Sequence, residues 1–145
     1  MNELSINLFN IVRPHDHNIN CAVSKKKGTI SYYTTKKLFI SATLKKSSKY
    51  SKVIKTQSRT LNDIISSSKY KYKKIDFLSI DCEGYDLEVL KTLDFKKYSP
   101  KIICVEIPKE NKNFELKKNK TYKYVVSKKY KLIFSSNNNS MFLKK

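Results

Sequence analysis

The chain has 145 residues, which suits a single domain with a sizeable core, and it contains only two glycines, Gly28 and Gly84. Because phosphate and dinucleotide loops need several glycines close together, these residues include no glycine-rich loop. The 31 Lys and Arg residues outnumber the 12 Asp and Glu residues and give a net charge of +19, which attracts polyanions.

Only two of the basic residues are arginines, Arg13 and Arg59. Specific recognition of phosphates and base edges favours Arg over Lys. Lys, Asn, Ile and Tyr are all abundant, as in proteins from AT-rich genomes. Compositional bias therefore explains the charge better than dedicated nucleic-acid binding does.

The three cysteines, Cys21, Cys82 and Cys104, are odd in number and widely spaced, and each lies in an apolar run. This pattern predicts buried free thiols in a reducing compartment. No stretch reaches the length of a membrane span, and the N-terminus lacks the features of a signal peptide. We therefore expect a cytoplasmic location and no membrane span.

Residues 4–12 predict a helix whose packed face carries Leu4, Leu8, Phe9 and Val12. Residues 18–24 and 29–33 predict two strands that form a hairpin around a turn at 25–28. A long loop is expected over 34–52, and residues 53–56 are expected to be extended. Two residues then predict a helix start, with Thr60 as its N-cap and Asp63 in the capping-box position.

The most informative block is 74–108. Residues 75–80 predict a strand, 81–84 a tight turn, 85–93 a helix and 102–107 a second strand. This order forms a βαβ unit with two parallel strands, and the apolar strands predict a sheet covered on both faces. Further along, we expect a helix over about 113–128 and a hairpin of two strands, 130–135 and 141–144.

Three carboxylates are expected at the carboxyl ends of the two parallel strands, where open α/β sheets bind ligands: Asp81, Glu83 and Glu106. Such a cluster can accept a proton, hold a cation or hydrogen-bond a polyol. The residue types alone favour a simpler explanation, in which Asp81 caps the following helix and Glu83 complements the helix dipole. His15 and His17 flank Asp16, but two histidines without a third ligand nearby in sequence predict no metal site.

The run Ile75-Asp-Phe-Leu-Ser-Ile-Asp-Cys-Glu-Gly-Tyr-Asp-Leu-Glu-Val-Leu90 resembles the signature of the FkbM family of S-adenosylmethionine-dependent methyltransferases. The segments 13–24 and 60–65 resemble further family elements in the same order and spacing. Residues 101–108 and the closing hairpin fit the later strands of the family. The resemblance extends over essentially the whole chain, 1–145, which we interpret as one partial methyltransferase domain.

The resemblance implies an α/β fold, the Rossmann-like class I methyltransferase fold, with a mixed sheet and a C-terminal antiparallel hairpin. It implies transfer of a methyl group from S-adenosylmethionine to a hydroxyl group of a sugar, a glycan or another small molecule. By motif position, Asp81 and Glu83 would lie beside the donor and the acceptor. Glu106, expected near them at the end of the neighbouring strand, would be a third catalytic carboxylate. Ala22 and Val23 would lie near the adenine, and Asp81 and Cys82 would also contact the cofactor.

In the family, a first strand, a glycine-rich loop and an acidic second strand precede the part that this chain resembles. We therefore expect the first βαβ unit to be missing, so that an N-terminal fragment or an oligomer partner would have to complete the site. Residues 75–80, 101–107 and the final hairpin should then form one sheet. Residues 18–33 should be detached from this sheet or pair with 75–80, whose edge is otherwise open.

Two functions therefore remain open. The first is a methyltransferase of the FkbM type, which loses cofactor binding when Asp81 is replaced by Asn. The second is a non-catalytic basic module that binds nucleic acid or another polyanion through Lys-rich faces, with steep salt dependence and no need for Asp81.

Overall fold

A computed structural model describes residues 3–34, 42–43, 52–82, 84–108 and 114–145. The chain forms two compact units, Met1–Lys71 and Tyr72–Lys145, which we call the N-terminal and the C-terminal unit. Each unit contains a four-stranded sheet with both parallel and antiparallel pairs. The chain is therefore a mixed α/β protein, as the sequence predicts. None of the helices among the described residues has the length and apolar character needed to cross a membrane.

The N-terminal unit contains two helices and four strands, and its sheet has the order β1-β4-β2-β3. The bounds are α1 (Glu3–Val12), β1 (Ala22–Val23), β2 (Gly28–Thr34), β3 (Ala42–Thr43), β4 (Lys52–Arg59) and α2 (Leu61–Ser67). The side chains of β4 alternate between exposed and more buried positions from residue 53 to 58, as expected for a strand with one covered face.

The predicted hairpin of 18–24 with 29–33 is wrong. β1 and β2 are not neighbours, because β4 lies between them and pairs with both. The pairing of β2 with β4 is antiparallel and runs over seven residue pairs, whereas β1 pairs with β4 in parallel over two. The strand at 52–59 is twice as long as the extended segment that the sequence predicts. Because β4 forms a long ladder of backbone hydrogen bonds with β2, β2 pairs with β4 and not with the segment 18–24.

The helix α1 begins one residue before the predicted range of 4–12 and ends where predicted, but its predicted inward face is exposed to solvent. Leu4, Leu8, Phe9 and Val12 are between 44 and 68 % exposed. The spacing of apolar residues shows which of them share a helix face, but it does not show what that face meets. The predicted loop over 34–52 lies largely outside the described residues.

The capping box at the start of α2 is confirmed. The Thr60 hydroxyl accepts a hydrogen bond from the backbone N–H of Asp63 at 3.1 Å, and the Asp63 carboxylate accepts one from the backbone N–H of Thr60 at 3.2 Å. These two contacts satisfy donors that a helix start otherwise leaves without partners. Leu61 is buried directly behind the cap and anchors the helix.

The C-terminal unit forms a sheet in the order β5-β6-β8-β7, with β5 at one edge. Its elements are β5 (Phe77–Ile80), α3 (Asp86–Leu90), β6 (Ile102–Glu106), a 3-10 helix (Leu116–Lys118), α4 (Lys120–Ser127), β7 (Tyr130–Ser135) and β8 (Asn139–Lys144). β5 and β6 are parallel, while β8 pairs with both β6 and β7 in antiparallel fashion. The predicted βαβ unit, the closing hairpin and their union in one sheet are confirmed, although α3 is shorter than the predicted helix over 85–93. The strands of 18–33 belong to the other sheet.

The core of the C-terminal unit surrounds β6. Ile103 and Val105 are fully buried, as are Leu90 of α3 and Val125 of α4. Each such side chain contributes about 1.5–3 kcal/mol through its removal from water. The prediction that the sheet is covered on both faces is wrong at its outer strands, because Phe77 of β5 and Phe134 of β7 are about half exposed.

The predicted helix over 113–128 is divided at Asn119. The Asn119 side chain accepts hydrogen bonds from the backbone N–H groups of Thr121 and Tyr122, at 2.8 and 3.2 Å. It therefore caps α4 and separates it from the preceding 3-10 helix, because an N-cap residue does not have helical backbone angles. Residues 109–113, where the prediction begins, lie outside the described residues.

Candidate functional site

The candidate site lies at the carboxyl ends of the two parallel strands in the C-terminal unit. The last residue of β5, Ile80, is in register with Val105 of β6. Asp81 follows β5 directly, and Glu106 is the last residue of β6. Because parallel strands end at the same edge of a sheet, these two acids occupy neighbouring positions at that edge.

A tight turn leads from Asp81 into α3. The Tyr85 backbone N–H donates a hydrogen bond to the Cys82 carbonyl at 3.0 Å, which closes the turn. Gly84 has a φ of +87°, a backbone conformation that side chains with a Cβ rarely adopt. The Asp81 side chain is exposed and the Cys82 side chain is half-buried. Glu83, a predicted catalytic carboxylate, lies outside the described residues.

Asp86 organises this turn from within the fold. Its side chain is buried and accepts hydrogen bonds from the backbone N–H groups of Cys82 and Gly84, at 3.3 and 3.2 Å. Burial is the largest influence on the Asp86 carboxyl, and it raises the pKa above the ordinary value of 3.8. Hydrogen bonds from backbone N–H groups, including that of Glu106, offset part of this rise. The Asp86 carboxyl therefore interacts both with the turn and with the end of β6.

The sequence pattern alone did not single out Asp86, because the helix dipole is a sufficient explanation for an acid in the first turn of a helix. The available signal was an acid two residues after the turn glycine. An acid in that position can fold back onto the N–H groups of the turn.

The Cys82 thiol lies within the field of the acids at this edge. Burial is the largest cause that raises the pKa of Cys82, which reaches about 11. The negative charges of Asp86, Asp81 and Glu106 raise it further. Asp81 also raises the pKa of the buried Cys104 thiol, although burial is again the main cause there. Cys82 is therefore protonated at neutral pH and is not a nucleophile.

The predicted free state of the three cysteines is confirmed, but their predicted burial holds only for Cys104, since Cys21 and Cys82 are half-buried. Among the residues that the structure describes, no group of three or more His, Cys, Asp and Glu side chains could hold a metal ion. The described acidic groups at this edge are carboxylates, which can accept a proton or attract a positive charge.

The structure thus brings together three of the predicted site residues, namely Asp81, Cys82 and Glu106, and adds Asp86. The predicted adenine contacts, Ala22 and Val23, form β1 of the N-terminal unit, where they pair with Ser58 and Arg59 of β4. Both residues are half-buried. Their role in cofactor binding remains a prediction.

Comparison with known protein families identifies a match over most of the chain. A family model described as the methyltransferase FkbM domain matches residues 2–132, which is most of the chain. Neither a curated protein nor a solved structure matches the chain.

Proposed function

The chain belongs to the FkbM family of methyltransferases, and we propose that it transfers a methyl group from S-adenosylmethionine to a hydroxyl group of a sugar or another small acceptor. The observation that carries this proposal is the group of carboxylates at the carboxyl edge of β5 and β6. Asp81 and Glu106 lie at the ends of two neighbouring parallel strands, and the Asp86 carboxylate accepts a hydrogen bond from the Cys82 N–H in the turn after β5, so the three acids share one edge of the sheet.

The chemistry of these residues suits a positively charged donor. S-adenosylmethionine carries a sulfonium and an ammonium group, and when bound it supplies an electrophilic methyl group. Asp81 is exposed at the edge and would attract these positive charges, with Cys82 beside it. The backbone N–H groups of Cys82 and Gly84 already donate to Asp86. We therefore assign to this turn the cationic part of the donor and not its carboxylate.

A carboxylate of this group would also accept the proton of the acceptor hydroxyl. A hydroxyl group becomes a better nucleophile when a nearby base takes its proton, and a carboxylate can do so at a hydrogen-bond distance. We propose Asp81 as this base and Glu106 as the group that orients the acceptor, with Glu83 as a further catalytic carboxylate by motif position. Most of the acceleration would come from holding donor and acceptor in line.

We also propose that the two units are parts of one methyltransferase domain. The family match runs from residue 2 to residue 132 and so crosses the boundary between Lys71 and Tyr72. In this proposal Ala22 and Val23 of the N-terminal unit contact the adenine. Valine and alanine side chains would provide apolar contact to the ring.

A labelling experiment tests the proposed reaction. The chain is incubated with S-adenosylmethionine that carries an isotopically labelled methyl group, together with a panel of monosaccharides and short glycans. The expected result is a labelled methyl ether whose formation depends on the protein and falls at least about tenfold with Asp81→Asn. Label on nitrogen or sulfur acceptors alone, or equal yields for the wild type and Asp81→Asn, would contradict the proposal.

A further inference from the structure

The C-terminal part of the chain carries a strongly one-sided charge. Residues 116–145 contain nine lysines and no Asp or Glu. The acid nearest in sequence is Glu115, which forms an ion pair with Lys118 at 2.7 Å. This stretch builds the 3-10 helix, α4, β7 and β8 of the C-terminal unit. A large part of the net charge therefore belongs to one stretch of folded structure.

The helix α4 orients part of this charge outward. Lys120 and Lys123 are exposed on its outer face, and Lys117 is exposed on the preceding 3-10 helix. Thr121 and Val125 occupy the opposite face and are buried in the core. Residues three apart lie near one another on a helix surface, so Lys120 and Lys123 form one continuous patch. We call Lys117, Lys120 and Lys123 the lysine face.

Helix stability does not account for the lysine face. Lys120 is the first residue of α4, where the helix dipole favours an acid and disfavours a cation. The first turn of α4 contains no acid, and Asn119 alone provides the cap. The sequence thus places a lysine where it weakens the helix slightly. Compositional bias accounts for the number of lysines but not for a cation at the start of a helix, a position that a negatively charged ligand would favour.

We propose that the lysine face binds the phosphate backbone of nucleic acid. Lysine ammonium groups act as point charges that attract phosphates without reading bases. The chemistry of the face therefore fits backbone contact with little sequence preference. This binding surface goes beyond the methyltransferase activity and involves none of the acids of the candidate site.

The packing of α4 favours nucleic acid over an anionic membrane. A helix that lies in a bilayer surface must insert an apolar face, in addition to presenting cations to the headgroups. The apolar side of α4 is already packed, since Val125 is fully buried and the ring of Tyr122 lies 5.7 Å from that of Phe142. The exposed positions of α4 are Lys120, Lys123 and Ser127, and all three are polar or charged.

The test compares two triple variants that lose the same charge. One variant replaces the lysine face, as Lys117→Gln, Lys120→Gln and Lys123→Gln. The other replaces Lys25, Lys26 and Lys27 by Gln in the exposed turn before β2. Binding of a 20-base-pair DNA duplex is measured by fluorescence anisotropy over a series of salt concentrations. Circular dichroism checks the fold, which the Lys120→Gln change should not weaken because it removes a cation from a helix start.

We expect the lysine-face variant to bind at least about tenfold more weakly at low salt, with a salt slope reduced by about 2.7, or 0.9 for each lost phosphate contact. The control variant should bind within about threefold of the wild type. Equal losses in the two variants would show that net charge alone attracts the DNA and would overturn the proposal. Absence of duplex binding by the wild type, or tighter binding to vesicles of phosphatidylcholine and phosphatidylserine that depends on the lysine face, would also overturn it.

Discussion

The carboxylate of Asp86 accepts a hydrogen bond from the backbone N–H of Gly84 at 3.2 Å, although the two residues belong to different elements, a turn and a helix. A second bond from the Cys82 N–H, at 3.3 Å, joins the other carboxylate oxygen to the start of the same turn. One buried side chain thus holds the turn at the end of β5 in a fixed shape. The exposed Asp81 takes its position from this support.

Replacement of Asp86 should therefore destabilise the fold. Asp86→Ala leaves two backbone N–H groups without their acceptor, and we expect a loss of about 2–4 kcal/mol in the free energy of unfolding. Urea unfolding followed by circular dichroism measures it. The matched control is Asp94→Ala, because Asp94 is exposed and also accepts two backbone hydrogen bonds, from Lys96 and Lys97. That variant should lose less than about 1 kcal/mol, and equal losses would contradict the role of Asp86.

The cap of α2 gives a second stability prediction. Thr60→Ala removes the hydroxyl that accepts from the Asp63 N–H, and we expect a loss of about 1 kcal/mol in the free energy of unfolding. Thr60→Ser keeps the oxygen and should lose much less. If Thr60→Ser and Thr60→Ala are equally destabilised in urea, the methyl group and not the capping hydrogen bond accounts for the effect.

The same cap predicts a dependence of stability on pH. Hydrogen bonds from Thr60 lower the pKa of Asp63 below its ordinary value of 3.8. Because the pKa is lower in the folded chain than in the unfolded chain, the stabilisation is present above pH 3.8 and is lost as the pH falls through the folded value. The difference in unfolding free energy between the wild type and Asp63→Asn should stay constant near neutral pH and shrink in acid. A difference that grows in acid would contradict this assignment.

The Cys82 thiol reports directly on the acids of the candidate site. Asp81→Asn removes one of the charges that raise its pKa, so the pKa of Cys82 should fall below its value of about 11. The pH dependence of iodoacetamide alkylation at Cys82, followed by peptide mass spectrometry, measures this change. Asp76→Asn is the control, since it removes the same charge from the opposite end of β5. Identical alkylation profiles for the two variants would show that Asp81 does not act on Cys82.

Much of the C-terminal unit could be predicted because its signals are local. The strands at 75–80 and 102–107 are short apolar runs, and the Asn-rich turn at 137–139 lies between two further strands. The N-terminal sheet was less predictable. The pairing of β4 with both β1 and β2 joins segments far apart in sequence. Which strands pair depends on the relative stability of the alternative sets of backbone hydrogen bonds, and local sequence patterns do not show this.

The position of the candidate site was predictable from the sequence, but the hydrogen bonds by which Asp86 holds its turn were not. Asp81 and Glu106 follow from the rule that ligands bind at the carboxyl ends of parallel strands. The contacts of Asp86 depend on how the turn folds back over the helix start. Sequence alone shows only an acid in the first turn, where the helix dipole is a sufficient explanation.

Binding of S-adenosylmethionine tests the central claim most directly. Isothermal titration calorimetry compares the wild type with Asp81→Asn and with Asp76→Asn, two variants that lose the same charge at opposite ends of β5. We predict that the wild type and Asp76→Asn bind the donor with the same affinity within about twofold, and that Asp81→Asn binds at least about tenfold more weakly, a difference of about 1.4 kcal/mol. Equal affinities for the two variants, or absence of binding by the wild type, would contradict a donor site at the carboxyl edge of β5 and β6.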